Sequence, residues 1–128
     1  MLEILFSRSP VELLIRGRGD DLSALVDLLR SAGGTLDAAD SLDPWPYDGC
    51  LAAVTVTVTD MQPVTCVVDE PARSLRIQGE TSKLSIFADN LDDIVQESAP
   101  GTHHHFEYFP GHFYLGTAST PVVIETKR

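Results

Sequence analysis

The sequence is poor in basic residues. It contains nine Lys and Arg against nineteen Asp and Glu, which gives a net charge of -10 at pH 7. No Lys or Arg lies between Arg30 and Arg73, or between Lys83 and Lys127. Proteins bind a nucleic-acid backbone mainly through Lys and Arg, so this composition argues against nucleic acid as a partner. The acidic segments either keep the protein in solution or attract a basic macromolecule.

Cysteines and long apolar runs are also scarce. Cys50 and Cys66 do not form a C-x-x-C pair, and each lies in an apolar run, where a thiol commonly serves as a small buried side chain. No run approaches the roughly 18 apolar residues of a membrane-spanning helix, and the N-terminus shows no signal-peptide pattern. We therefore expect a protein of the reducing cytoplasm that does not contact a membrane.

An internal repeat is the main sign of how the chain is organised. LEILFSRSPVELLIRGRGDDLSALVDLL aligns without a gap with VTCVVDEPARSLRIQGETSKLSIFADNL, so that Leu13 falls on Leu75 and Ile15 on Ile77. Each copy has alternating apolar residues on both sides of a turn, which predicts a β-hairpin, followed by apolar residues at helical spacing. We expect one domain over residues 1–128, built from two related ββαβ units over residues 1–62 and 63–128.

Local signals give the expected boundaries within these units. Asp20 and Ser82 are typical helix N-caps, each followed by an apolar stripe. The segment CLAAVTVTVT, Cys50 to Thr59, predicts a strand because β-branched residues alternate along it. Hairpins with one helix each need a shared sheet to bury their apolar faces. The predicted fold class is α+β, with one mostly antiparallel sheet and two helices packed on one face of it.

All four histidines lie in the segment GTHHHFEYFPGHFYLG. On a strand, His103, His105 and Glu107 would share one side, and His112 beyond the following turn could add a ligand. This set could hold Zn²⁺ or Fe²⁺. The H-x-H pattern also occurs in cupins, but the glutamate spacing and the two predicted helices do not fit a jelly roll. No nucleophile motif lies nearby, so no catalytic residue is expected.

Two segments could instead form a protein-binding surface. The histidine segment is rich in aromatic residues, which either pack around its turn or present an interface. The loop DAADSLDPWPYDG places Trp45 between two prolines and among several aspartates. Tryptophan and tyrosine commonly anchor protein interfaces. Trp45 could alternatively fold down and plug the end of the sheet.

The segment IFADNLDDIVQESAPGTHHHFEYFPGHFYLGTASTPVVIE, residues 86–125, resembles the immunity protein 32 family of bacterial polymorphic toxin systems. The resemblance lies in its H-x-H-x-E-Y-F-P-G-H strand and turn after a helix. It implies a cytosolic protein that binds a cognate toxin domain, often a nuclease or other toxic enzyme, and blocks it. It implies no catalysis, and it identifies no contact residues.

The first hypothesis is therefore an inhibitor without a cofactor, which covers a toxin with acidic and aromatic surface. The expected contact residues are Asp40, Asp43, Trp45, Tyr47, Asp48, Glu107, Tyr108 and His112. The alternative is a small metal-binding protein or metalloenzyme that uses His103, His105, Glu107 and His112. A third hypothesis is a scaffold that oligomerises through its sheet. The sequence leaves both a monomer and a homodimer open.

Overall fold

The computed structural model describes residues 1–40 and 43–128, and within these residues it contains two β-sheets and two α-helices. The elements in chain order are β1 (Glu3–Arg8), β2 (Val11–Gly17), α1 (Gly19–Arg30), β3 (Gly34–Asp37), β4 (Gly49–Leu51), β5 (Ala53–Val58), β6 (Thr65–Asp69), β7 (Ser74–Gly79), α2 (Thr81–Glu97), β8 (His103–Phe106) and β9 (Val122–Thr126). The fold class is α+β, as predicted. Across the described residues, every helix is too short or too polar to span a membrane.

The strands form two sheets where one was expected. The five-stranded sheet has the order β4-β1-β2-β9-β8, and the four-stranded sheet has the order β3-β5-β7-β6. Most neighbouring strands are antiparallel, while β2 with β9 and β5 with β7 are parallel. The predicted antiparallel character is confirmed, but the single sheet is not.

Each of the two sheets combines strands from both halves of the chain. The β1–β2 hairpin pairs through β2 with β9, and the β6–β7 hairpin pairs through β7 with β5. The registers correspond, because Leu13 lies opposite Val122 and Leu75 lies opposite Val54. The two halves thus show the same pairing pattern, and each supplies strands to the other. The duplication of a ββαβ unit stays a prediction from the sequence.

One apolar core lies between the sheets and the helices. Leu13 and Ile15 of the five-stranded sheet and Leu75 and Ile77 of the four-stranded sheet are fully buried in it. The helices add Leu22, Leu25, Val26, Leu29, Leu84, Phe87, Ala88, Leu91 and Ile94. Each buried Leu, Ile or Phe stabilises the fold by about 1.5–3 kcal/mol relative to an exposed position. The predicted helical stripes are therefore core residues.

Both helices begin earlier than predicted, so the expected N-caps Asp20 and Ser82 are wrong. Helix α1 begins at Gly19, and the carboxylate of Asp21, inside its first turn, accepts a hydrogen bond from the backbone N–H of Arg18 at 3.1 Å. Helix α2 begins at Thr81, directly after Glu80. Asp21 thus accepts a hydrogen bond from a backbone N–H group at the start of α1 although it lies inside the helix. Its negative charge lies near the N–H groups of the first turn, which have no partner within the helix.

The predicted strand from Cys50 to Thr59 is divided at Ala52 between the two sheets. The N–H of Ala52 donates to the carbonyl of Arg73 at 2.7 Å, and the chain changes sheet at this residue. Leu51 and Val54, three positions apart, are consequently both buried in the core. Strict alternation would have put them on opposite faces.

Candidate functional site

The tryptophan loop, residues 38–48 between β3 and β4, presents an aromatic side chain to solvent. Residues 41 and 42 of this loop lie outside the described part of the chain. The Trp45 side chain is 82 % exposed. The alternative in which Trp45 plugs the end of a sheet is therefore wrong. A large exposed aromatic residue is typical of a protein interface.

The aspartates of the tryptophan loop have different environments. Asp48 accepts a hydrogen bond from the backbone N–H of Arg8 at 2.7 Å, which ties the loop to β1. Asp43 accepts a hydrogen bond from the backbone N–H of Trp45 at 3.2 Å. The side chain of Asp40 is exposed. Asp43 and Asp48 therefore help to shape the loop that presents Trp45, while Asp40 faces solvent.

The aromatic loop, residues 107–113 after β8, exposes several more rings. The exposed fractions are 38 % for Tyr108, 56 % for Phe109 and 84 % for Phe113. Glu107 is exposed beside them. Apolar rings clustered at the surface beside a carboxylate are characteristic of a surface that another protein covers. Tyr114 and Leu115 are buried and Phe109 contacts the His112 ring, so packing around the turn describes these residues. It does not describe the exposed Phe113.

His112 organises the aromatic loop from inside. Its ring centroid lies 4.7 Å from that of Phe109 and 4.6 Å from that of Tyr114. Its Nδ1 atom accepts hydrogen bonds from the backbone N–H groups of Tyr114 at 3.2 Å and Leu115 at 3.0 Å. Burial lowers the pKa of His112. Because an accepting Nδ1 carries no proton, the neutral ring holds the turn in place.

The four residues of the metal hypothesis do not converge. His103 pairs with the carboxylate of Glu125, while the Nδ1 atom of His112 is engaged by the backbone. His103 and His105 lie on one side of β8, as predicted, but Glu107 follows the end of the strand. The described residues contain no group of three or more His, Cys, Asp or Glu side chains placed to hold an ion. The structure therefore does not bring the four residues of this predicted ligand set together.

The two loops lie at the same end of the five-stranded sheet. One register row crosses that sheet through Gly49, Phe6, Leu13, Val122 and Phe106. Tyr47 and Asp48 come immediately before this row on the β4 edge, and Glu107 and Tyr108 come immediately after it on the β8 edge. The structure thus places the two predicted patches at opposite edges of one end of the molecule.

The outer face, meaning the side of the five-stranded sheet that points away from the core, has its own small apolar cluster. Leu5, Leu14 and Val123 are 2–6 % exposed there. Tyr47 and Cys50 pack against them. Tyr47, unlike its neighbour Trp45, therefore folds back from the tryptophan loop onto the sheet.

A row of charged side chains crosses the outer face beside this cluster. Glu3 accepts hydrogen bonds from Arg16 at 3.0 Å and from Lys127 at 2.5 Å. Glu125 pairs with His103 and lies 3.7 Å from the Arg16 guanidinium. Burial alone would raise the pKa of Glu3, but the hydrogen bonds and charges of Lys127 and Arg16 outweigh it and lower that pKa. These charges therefore compensate one another.

A cleft of about 290 Å³ opens on the outer face. It is lined by Glu12, Leu14, Arg16, Tyr47, His103, His105, Val123 and Glu125. The Tyr47 hydroxyl donates a long hydrogen bond of 3.4 Å to the Glu12 carboxylate. Burial, and then the charge of Glu12, raise the pKa of Tyr47. The cleft thus joins an apolar floor, one tyrosine ring, two imidazoles, one guanidinium group and two carboxylates.

This cleft was not predicted from the sequence. Alternation along β2 does indicate that Glu12, Leu14 and Arg16 share a side. That Tyr47 and His105 lie over the same side follows only from the pairing of β4 with β1 and of β8 with β9. The sequence signal that could have indicated the cleft is the presence of both charged and apolar residues at alternate positions of β2 and β9.

Comparison with known protein families gives a match to part of the chain. The model of a family described as Immunity protein 32 matches residues 74–127. The matched segment runs from β7 through α2, β8 and the aromatic loop to β9. The resemblance predicted from the sequence is therefore confirmed for this segment. No curated protein matches the chain, and no solved structure matches it.

Proposed function

We propose that this protein is an immunity protein, which binds a cognate toxin domain and blocks it by covering its surface, without chemistry of its own. The observation that carries this proposal is the match of residues 74–127 to the immunity protein 32 family. The matched segment includes the aromatic loop with its exposed Tyr108, Phe109 and Phe113. Aromatic residues of this kind supply much of the binding energy at protein interfaces.

The charge of the chain indicates the kind of toxin. With a net charge of -10, the protein attracts basic partners over a distance comparable to the Debye length. A nuclease or another basic toxic enzyme fits this field, because its substrate-binding surface is built to meet negative charge. The protein would then act in the cytoplasm, where it meets the toxin before that toxin reaches its target.

The proposed contact surface joins the tryptophan loop and the aromatic loop at one end of the five-stranded sheet. Its residues are Asp40, Asp43, Trp45, Tyr47, Asp48, Glu107, Tyr108 and His112. Trp45 would be the main anchor because it is the most exposed of the four aromatic and imidazole side chains in this set. His112 would contribute by holding the aromatic loop in its shape.

A pull-down with the product of the neighbouring gene, which the proposal expects to carry the toxin domain, tests the proposal. We expect a stoichiometric complex and loss of the toxin's activity. Trp45→Ala should weaken binding by about tenfold or more, since truncating an aromatic anchor commonly costs about 2 kcal/mol or more. Met61→Ala is the matched control, because Met61 is 88 % exposed but lies outside both loops.

The outcomes separate the function from the surface. Absence of binding by the unmodified protein would contradict an immunity role for that toxin pair. Equal weakening by Trp45→Ala and Met61→Ala would leave the immunity role in place but would show that the tryptophan loop is not the contact surface.

A further inference from the structure

The cleft on the outer face has one carboxylate that the fold leaves without a cation. Glu3 and Glu125 are matched by the two cations Arg16 and Lys127, and His103 hydrogen-bonds Glu125. Glu12 has no Lys, Arg or His within ion-pairing distance among the described residues. Its hydrogen bond from the Tyr47 hydroxyl is long at 3.4 Å. A half-buried carboxylate with so weak a partner can accept charge-assisted hydrogen bonds from an external cation.

The surroundings of Glu12 suit a long side chain with an apolar stem. Leu14 and Val123 form the floor of the cleft. Tyr47 borders the cleft beside Glu12 of β2. His105 of β8 borders it in the register row that contains Leu14 and Val123. A guanidinium group stacks well on aromatic side chains and bonds a carboxylate through two parallel N–H groups. A lysine ammonium group is not planar and therefore does not stack on an aromatic ring as a guanidinium group does.

We propose that this cleft receives an arginine side chain of the partner protein. The stem of the arginine lies on Leu14 and Val123, and its guanidinium group pairs with Glu12 beside Tyr47. This inference rests on the proposed immunity function and names the chemistry that the outer face recognises. It extends the contact surface from the two loops onto the sheet between them.

Charge argues against the other occupants of such a cleft. An anion would meet Glu12 and Glu125 together, while Arg16 is already shared between Glu3 and Glu125. A second copy of this chain would bring another net charge of -10 to the same face. Like charges at an interface disfavour association. A basic side chain of a cationic protein is the occupant that would neutralise the negative charge of Glu12.

The first test uses a small probe and the intact protein. N-acetyl-arginine methylamide is titrated while backbone amide shifts are followed by NMR, with the neutral isostere N-acetyl-citrulline methylamide as the control ligand. We expect saturable shifts centred on Glu12, Leu14, Tyr47 and His105 with the arginine probe only. Glu12→Gln should weaken the apparent affinity by about tenfold, whereas Glu97→Gln, on the exposed end of α2, should leave it unchanged.

Three results would overturn the inference. These are no saturable shift with the arginine probe, equal shifts with the citrulline probe, or equal binding by the unmodified protein and a folded Glu12→Gln variant. Chemical-shift changes spread over the acidic surface instead of the cleft would also overturn the inference. They would show that the probe responds only to the net negative charge of the protein.

The second test separates this inference from the proposed function. The toxin domain is titrated against the unmodified protein, Glu12→Gln and Glu97→Gln. Binding that is strong for the unmodified protein and weakened by about tenfold only in Glu12→Gln supports the inference. If all three bind the toxin alike, the arginine site is wrong while the immunity role stands. If none binds, the proposed function fails for this pair, whatever the probe titration shows.

Discussion

The Phe87 side chain connects the core to the aromatic loop. It is fully buried, and its ring centroid lies 5.7 Å from that of Phe106 and 5.7 Å from that of Tyr114, on either side of the loop. We expect Phe87→Ala to lower the free energy of unfolding by about 3–5 kcal/mol, because it leaves a cavity and removes both ring contacts. Urea unfolding measures this loss.

Ile86 gives the matched control for that substitution. It is the preceding residue of α2 but is 39 % exposed. Ile86→Ala should therefore change the free energy of unfolding by only about 0.5–1 kcal/mol. Similar losses for the two variants would mean that Phe87 does not support the loop as the packing indicates.

His112 makes the aromatic loop sensitive to acid. Burial holds its pKa in the folded protein below the ordinary value of 6.5. The unfolded chain therefore binds a proton at a higher pH than the folded protein does. The stability that the neutral ring contributes is fully present above pH 6.5 and is lost as the pH falls below it. Protonation at Nδ1 would also remove the acceptor for the N–H groups of Tyr114 and Leu115.

Substitution of His112 isolates this effect. His112→Asn keeps a short side-chain acceptor for the turn but does not titrate in this range. Between about pH 7.5 and pH 5, we expect the unmodified protein to lose more unfolding free energy than His112→Asn loses. Chemical denaturation at a series of pH values provides the comparison. Parallel losses would show that other groups cause the acid sensitivity.

At the scale of elements, the short strand β4 carries the tryptophan loop. A Cβ atom at Gly49 would lie 2.7 Å from the Phe6 ring, which is closer than packing permits. Gly49→Ala should therefore push β4 away from β1 and cost about 1–3 kcal/mol of unfolding free energy. The chain has one tryptophan, so the emission of Trp45 reports any movement of the loop.

Gly19 is the control for this strand. A Cβ atom there would meet only Val95, at 3.9 Å. Gly19→Ala lies in the first turn of α1 and should keep the stability within about 0.5–1 kcal/mol of the unmodified protein or raise it. A fully stable Gly49→Ala with unchanged Trp45 emission would contradict the close contact between β4 and Phe6.

Elements with a strong local period could be predicted from the sequence. The helices are marked by apolar stripes that include Leu25 and Phe87, both of which are fully buried. The first hairpin is marked by the alternation of apolar and polar residues. The break at Ala52 could not be predicted, because it depends on a hydrogen bond to Arg73 that is distant in sequence. A run of β-branched residues favours a strand equally on both sides of such a bend, so its composition does not show where the bend lies.

At the scale of the whole molecule, the parallel pairs between the two halves decide which side chains meet. The pairing of β2 with β9 brings Leu14 beside Val123 and so creates the floor of the cleft. Local sequence patterns contain no information about such distant partners. The aromatic and acidic residues of the proposed contact surface could therefore be suggested from composition, whereas the proposed arginine site required the strand register.

The net charge of -10 leads to a prediction about the kinetics of partner binding. A charged surface steers an oppositely charged protein, and added salt screens this attraction. With the toxin domain as the partner, raising the salt concentration from about 0.05 M to about 0.5 M should lower the association rate constant by about tenfold or more. The dissociation rate constant should change much less, because close apolar contacts such as the one proposed for Trp45 carry no charge that salt could screen. Stopped-flow mixing measures both constants. An association rate constant that stays the same across this range would show that the acidic surface serves solubility and does not steer the partner.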